Sequence, residues 1–118
     1  MGIVNTTLTI QNPRNPKKTY TGEFLVDTGA RYTVVPEGVW KKLGLKPQRR
    51  QKFSLADGTI IERPVGSALV EFQGIESASP IVLGHKNDTF ILGVVTLETL
   101  GLSINPFTRE LYPAKLML

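Results

Sequence analysis

The sequence predicts a mainly β fold carrying one or two short helices. Three observations point there. Apolar residues recur at every second position in several segments, as at Ala68, Val70 and Phe72. Those segments are dense in β-branched residues, and Asn-Pro, Asp-Gly and isolated glycines punctuate them at short intervals. At 118 residues, 41% hydrophobic and 20% charged, residues 1–118 fit a single domain with a modest core.

The segment "IVNTTLTI" reads as a first strand, with Leu8 and Ile10 on one face. "QNPRNPKK" is expected to turn the chain through its two Asn-Pro steps. Tyr20, Gly22, Phe24 and Val26 then share one face of a second strand, which ends at Asp27. After "TVV", Pro36 suits the first turn of a helix about two turns long. Val39, Trp40 and Leu43 form its apolar stripe, Lys41 and Lys42 lie at its negative end, and Gly44 suits a left-handed terminus.

"KFSLADGTIIERPVGSALVEF" reads as two arms around Asp57-Gly58, a dipeptide suited to a tight hairpin. "SASPIVLG" is a further strand, "HKND" a turn and "TFIL" a short buried strand. Gly93 then opens a small helix, "VVTLETLG", closed by Gly101. "LSI" and "RELYPAKLML", either side of Asn105-Pro106, end the chain with β-type segments; Pro113 suits an edge or an end.

Composition narrows the chemistry. No apolar run is long enough for a membrane span, and the start lacks the basic and apolar regions of a signal peptide. With no cysteine, thiol chemistry is absent and a reducing compartment such as the cytoplasm is suited, though not fixed. A single histidine, His85, argues against zinc, and no cofactor is expected. The net charge is +4, and Lys41, Lys42, Lys46, Arg49, Arg50 and Lys52 cluster without an acidic neighbour. Such a cluster reads first as a solvated helix end and loop, and second as a basic patch for nucleic acid. Trp40 is the only aromatic within reach of a stacking platform, so nucleic acid is not the expected partner.

One stretch resists a purely structural reading. In "EFLVDTGARYTVVPE" an apolar strand runs straight into Asp27, and "TGARY" is a poor helix start for that aspartate to cap. The Asp57-Gly58 tip follows 30 residues later, and the apolar-apolar-glycine step Ile91-Leu92-Gly93 precedes a helix. In the order and spacing of these three elements the chain resembles the retropepsin-like single-domain aspartic proteases, from about residue 20 to residue 105. The likeness is sharpest in Asp27-Thr28-Gly29-Ala30, with Thr33 and Val34 also fitting.

The resemblance implies the closed-barrel-like acid-protease fold and an aspartic endopeptidase whose catalytic residue is Asp27. Peptide hydrolysis without metal or covalent nucleophile needs a base for water and an acid for the carbonyl oxygen and leaving nitrogen. Two carboxylates at about 3 Å repel by roughly 5 kcal/mol at an effective dielectric near 20, so the pair shares one proton and supplies both roles. This chain holds one Asp-Thr-Gly, so the second aspartate must come from another chain across a two-fold axis. The resemblance implies the same homodimer.

On the family pattern Thr28 reaches across that axis, and the alternative for it is an ordinary turn hydroxyl. Gly29 admits substrate backbone, and Ala30 is small for a related reason. Ala56, Asp57, Gly58 and Thr59 match the flap that closes over a peptide or protein substrate. Ile91, Leu92 and Gly93 are expected behind the catalytic loop. Retroviral members carry an acidic residue and an arginine where this chain has Arg31 and Val94. The joint loss of that ion pair points to a non-viral, bacterial or cellular, branch and sends Arg31 to solvent or the substrate groove. Two readings compete: a catalytically silent binding or dimerisation module on the same fold, and a basic nucleic-acid-associated domain. The two chain ends are expected to be available for pairing between protomers.

Overall fold

The computed structural model describes residues 4–116. Strands β1 (Val4–Asn12) and β2 (Asn15–Val26) form a long hairpin in which Leu8 faces Gly22 and Ile10 faces Tyr20. The turn is shorter than expected. Only Pro13 and Arg14 separate the strands, and Asn15-Pro16 already belongs to β2. Side chains make this possible: Asn12 Oδ1 accepts the Arg14 amide at 2.8 Å and Asn15 Oδ1 that of Lys17 at 3.1 Å.

After β3 (Thr33–Val35), helix α1 (Glu37–Leu43) begins one residue later than expected, with Pro36 extended at its N-cap. The Pro36 carbonyl accepts the amides of Val39 and Trp40, both at 3.1 Å. Gly44 ends the helix at φ 72°, as the sequence predicts.

Strands β4 (Arg49–Ser54) and β5 (Ile60–Phe72) pair antiparallel, and β5 continues against β6 (Ile75–Leu83). The tight two-residue turn lies between β5 and β6, at a place the sequence reading passed over. Gln73 and Gly74 both have positive φ, 47° and 87°, the geometry of the tight hairpin turn whose twist matches the flanking strands. At the other tip only Gly58 is positive, at 86°. There Leu55 donates its amide to the Thr59 carbonyl at 2.8 Å and accepts that of Gly58 at 2.9 Å. Ala56, Asp57 and Gly58 therefore make a three-residue loop, a turn followed by a left-handed glycine, rather than the expected two-residue turn.

Strand β7 is only Ile91–Leu92, shorter than "TFIL" suggested. Helix α2 (Val94–Thr99), β8 (Leu102–Ile104) and β9 (Leu111–Pro113) follow. In the large sheet the pairing runs β1-β2-β7-β3-β6-β5 and returns to β1 through Thr9–Gln11 against Leu69–Glu71, with β4 attached outside this ring. That ring fits the closed-barrel-like architecture. Inside it Leu8, Ile10, Phe24, Val35, Val70, Ile81, Leu83 and Leu92 are buried. Each such side chain contributes about 1.5–3 kcal/mol by leaving water. The same alternation that predicts the strands thus supplies the core. Among the described residues no helix is long and apolar enough to cross a membrane.

Candidate active site

Asp27 lies where three strands meet. β2 runs parallel to β7, with Val26 beside Leu92, and β7 runs antiparallel to β3 at Val34 and Ile91. The Asp27 amide continues the ladder by donating to the Leu92 carbonyl at 3.1 Å. Its backbone is therefore fixed by the sheet while its side chain leaves the end of it, half-buried. The chain then turns at once: Asp27 Oδ1 accepts the Gly29 amide at 2.9 Å and the Asp27 carbonyl that of Ala30 at 3.1 Å. A Cβ on Gly29 would stand 3.2 Å from that carboxylate oxygen, so a side chain there crowds the aspartate. Thr28 is exposed, and its hydroxyl makes no hydrogen bond among the described residues.

The remainder of the loop is clipped to α2. Val94 and Val95 donate their amides to the carbonyls of Ala30 and Arg31, each at 2.9 Å. The Gly93 amide donates to Thr33 Oγ1 at 3.1 Å. A Cβ on Gly93 would meet the Tyr32 carbonyl carbon at 2.5 Å and the Arg31 oxygen at 2.9 Å, so only glycine fits. The expected trio Ile91, Leu92 and Gly93 does sit behind the loop, and Thr33 joins it.

Two buried hydroxyls complete this support, and the sequence reading missed both. Thr33 Oγ1 is 2.5 Å from Thr96 Oγ1, which is 2.8 Å from Ser79 Oγ. Ser79 donates to the Pro80 carbonyl at 3.1 Å. A carbonyl can only accept, so the proton order follows: Ser79 donates to Pro80, Thr96 to Ser79 and Thr33 to Thr96. Every hydroxyl in the row is satisfied, and all three residues are buried. A detectable signal existed for Ser79, which by strand alternation shares the face of Ile81 and Leu83.

The Ala56-Asp57-Gly58-Thr59 tip is exposed and makes no hydrogen bond or ion pair with the Asp27 loop among the described residues. Asp57 Oδ1 accepts the Thr59 amide at 2.9 Å. Hydrogen bonds from Thr59 hold the Asp57 carboxyl below its usual range. Between hairpin and loop lies a cleft of about 680 Å³, lined by Gly29, Ala30, Arg31 and Tyr32 on one side and Phe53, Leu55, Ile61 and Arg63 on the other. Arg31 thus faces the groove. The basic cluster does not form one patch. Lys41 pairs with Glu37 at 2.8 Å, Arg50 with Glu62, and Arg49 turns to Tyr32. Among the described residues no group of three His, Cys, Asp or Glu residues is arranged to hold a metal ion.

The family described as "gag-polyprotein putative aspartyl protease" matches residues 18–99, from β2 through α2. The chain belongs to that family. Among solved structures this aspartyl-protease-family chain is similar to EIAV protease complexed with the inhibitor HBY-793. That match has a TM-score of 0.63 at 19% identity and covers 99% of this chain and 94% of that one. At such identity the likeness establishes the retroviral-protease fold. A comparison with curated protein sequences gives no match.

Proposed function

We propose that the protein is a homodimeric aspartic endopeptidase, folded as one domain, in which Asp27 and its twin activate a water between them. The observation that carries this reading is the setting of Asp27. Its backbone is locked into the β2–β7 ladder, its carboxylate is directed out of the strand end, and one Asp-Thr-Gly is present per chain. Half of an acid-base pair presented on so fixed a base calls for a second half. One carboxylate of the pair takes the water proton, while the protonated one polarises the peptide carbonyl and later protonates the leaving nitrogen.

Other features support the reading. The Thr28 hydroxyl, without a hydrogen-bond partner among the described residues, is available to bond across the axis. The hairpin whose tip is Ala56, Asp57, Gly58 and Thr59 contributes Phe53, Leu55 and Ile61 to the cleft, which supports its covering an extended peptide there, and Arg31 lines that cleft. β8 and β9 form a separate two-stranded sheet, with Phe107 92% and Tyr112 45% exposed nearby. Such apolar exposure suits a contact between protomers. The pairing expected of the chain ends falls partly outside the described residues, at positions 1–3 and 117–118.

The decisive experiment compares wild type with Asp27→Asn on an unstructured protein at about pH 4–6, where a shared-proton pair works. Loss of cleavage in the variant supports the assignment. Equal cleavage by both removes it. Sedimentation with and without a peptide-mimicking aspartic-protease inhibitor tests the dimer, and a monomer in both conditions contradicts it.

A further inference from the structure

The walls of the cleft carry an excess of positive charge that the catalytic reading does not use. Strand register sorts the side chains of β4 and β5. Gln51 is opposite Arg63 and Phe53 opposite Ile61, so these residues and Arg49 share one face, while Arg50, Lys52 and Glu62 share the other. The first face looks onto the Asp27 loop. Phe53 packs edge-on to Tyr32 with ring centroids 5.8 Å apart, and the Arg49 guanidinium lies 5.9 Å from the Tyr32 ring.

Three cationic residues line the groove, Arg31, Lys52 and Arg63, and Arg49, outside the lining, stands beside it against Tyr32. Against them, Asp88 is the one carboxylate among the described lining residues. It is already engaged, since its Oδ2 accepts the His85 amide at 2.7 Å and lies 3.7 Å from Arg63 Nε. Arg31 has no ion-pair partner among the described residues. Arg49 is held by neutral groups only, donating to Tyr32 Oη at 3.2 Å and Gln51 Oε1 at 2.6 Å. Those bonds orient the guanidinium and leave its charge uncompensated. A planar, permanently charged fork so placed is suited to a carboxylate.

We propose that the cleft selects acidic peptides, with a Glu or Asp side chain near the scissile bond read by Arg31 and Arg49. The neighbouring apolar residues Tyr32, Phe53 and Ile61 seat an uncharged side chain beside it. The inference rests on the protease reading and specifies its substrate class. Closure of the hairpin would exclude water and strengthen the charge contact.

The test uses a set of peptides sharing an apolar cleavage core, with Glu, Gln or Lys placed in turn at each of the positions flanking it. The readout is the ratio of kcat/KM values within the set. In wild type, Glu is expected to exceed Gln by about tenfold at one or two positions, the scale of a charge-assisted hydrogen bond, with Lys lower still. The ratio should shrink as salt is raised. It should fall towards one in Arg31→Gln with Arg49→Gln, persist in Arg31→Lys, and invert in favour of Lys in Arg31→Glu with Arg49→Glu. Asp27-dependent cleavage with equal rates for Glu, Gln and Lys at every position overturns the inference and leaves the protease intact. No Asp27-dependent cleavage of any peptide, neutral ones included, overturns both. The wild-type ratio and its salt dependence decide the matter even where a charge-reversed variant fails to fold.

Discussion

The Asp27 loop and the Asp57 hairpin are both short turns at strand ends, yet they are held in opposite ways. The loop from Asp27 to Thr33 is fastened to α2 by two backbone hydrogen bonds and the Thr33–Thr96–Ser79 row, with Gly93 pressed against the Tyr32 backbone. The hairpin tip is exposed, and among the described residues its hydrogen bonds are all within the hairpin. Ile60 beside it is 60% exposed. On the proposed reading, a group that has to meet its twin within a fraction of an ångström would need the first arrangement, and a cover that opens and closes the second.

The contrast can be broken at graded cost. The largest effect is expected from Asp27→Asn, which removes one proton-handling group per protomer and should lower kcat by about a thousandfold without changing stability, as read by peptide cleavage and thermal melting. Gly93→Ala should come next. Its Cβ collides with backbone rather than with a side-chain end, so the loop must shift, at about 3 kcal/mol in denaturant melts and with much of the activity lost. Thr96→Val keeps the shape but strands the Thr33 donor, and should cost about 1–3 kcal/mol. Undiminished stability in Thr96→Val would show that the hydroxyl row does not fasten the loop.

Changes in the hairpin should be milder. A Cβ at Gly58 meets nothing within 4 Å, so only its φ of 86° opposes substitution, and Gly58→Ala should cost about 1 kcal/mol. The effect of pH on the tip follows from Asp57. Its carboxyl is held below the ordinary 3.8 by Thr59, so its support is fully present above that value and is lost as pH falls through the lowered one. The Thr59 amide resonance should therefore hold steady across mildly acid pH and move only in stronger acid. A change at mildly acid pH would contradict this.

Much of this contrast was legible in the sequence, for identifiable reasons. Asp27 stands out because a carboxylate closing an apolar strand breaks a local rule, as happens where function requires it, and Gly93 is legible as an ordinary helix start. The positions of β2 and β5 follow from alternation. Ser79 and Thr96 were not read because a small hydroxyl on an apolar face resembles tolerated polarity until its partners, 17 and 63 residues distant in one case, are brought near. The turn at Gln73-Gly74 was passed over because glutamine carries no strong preference for positive φ, whereas Asp57-Gly58 does and yet adopts the longer loop. The charge borne by the cleft needed strand register, since Arg49 and Arg50 are adjacent in sequence and face opposite ways.

The placement of β4 has a colloidal consequence. The ring of pairings has no free margin along most of its circuit, while β4 joins only β5 and leaves its other side open. That strand bears Arg49 and Lys52, with Arg50 paired to Glu62, and like charges set along an open strand disfavour pairing with the same strand of another molecule. The positive charge that would attract an acidic substrate would also oppose edge-to-edge stacking of the molecules.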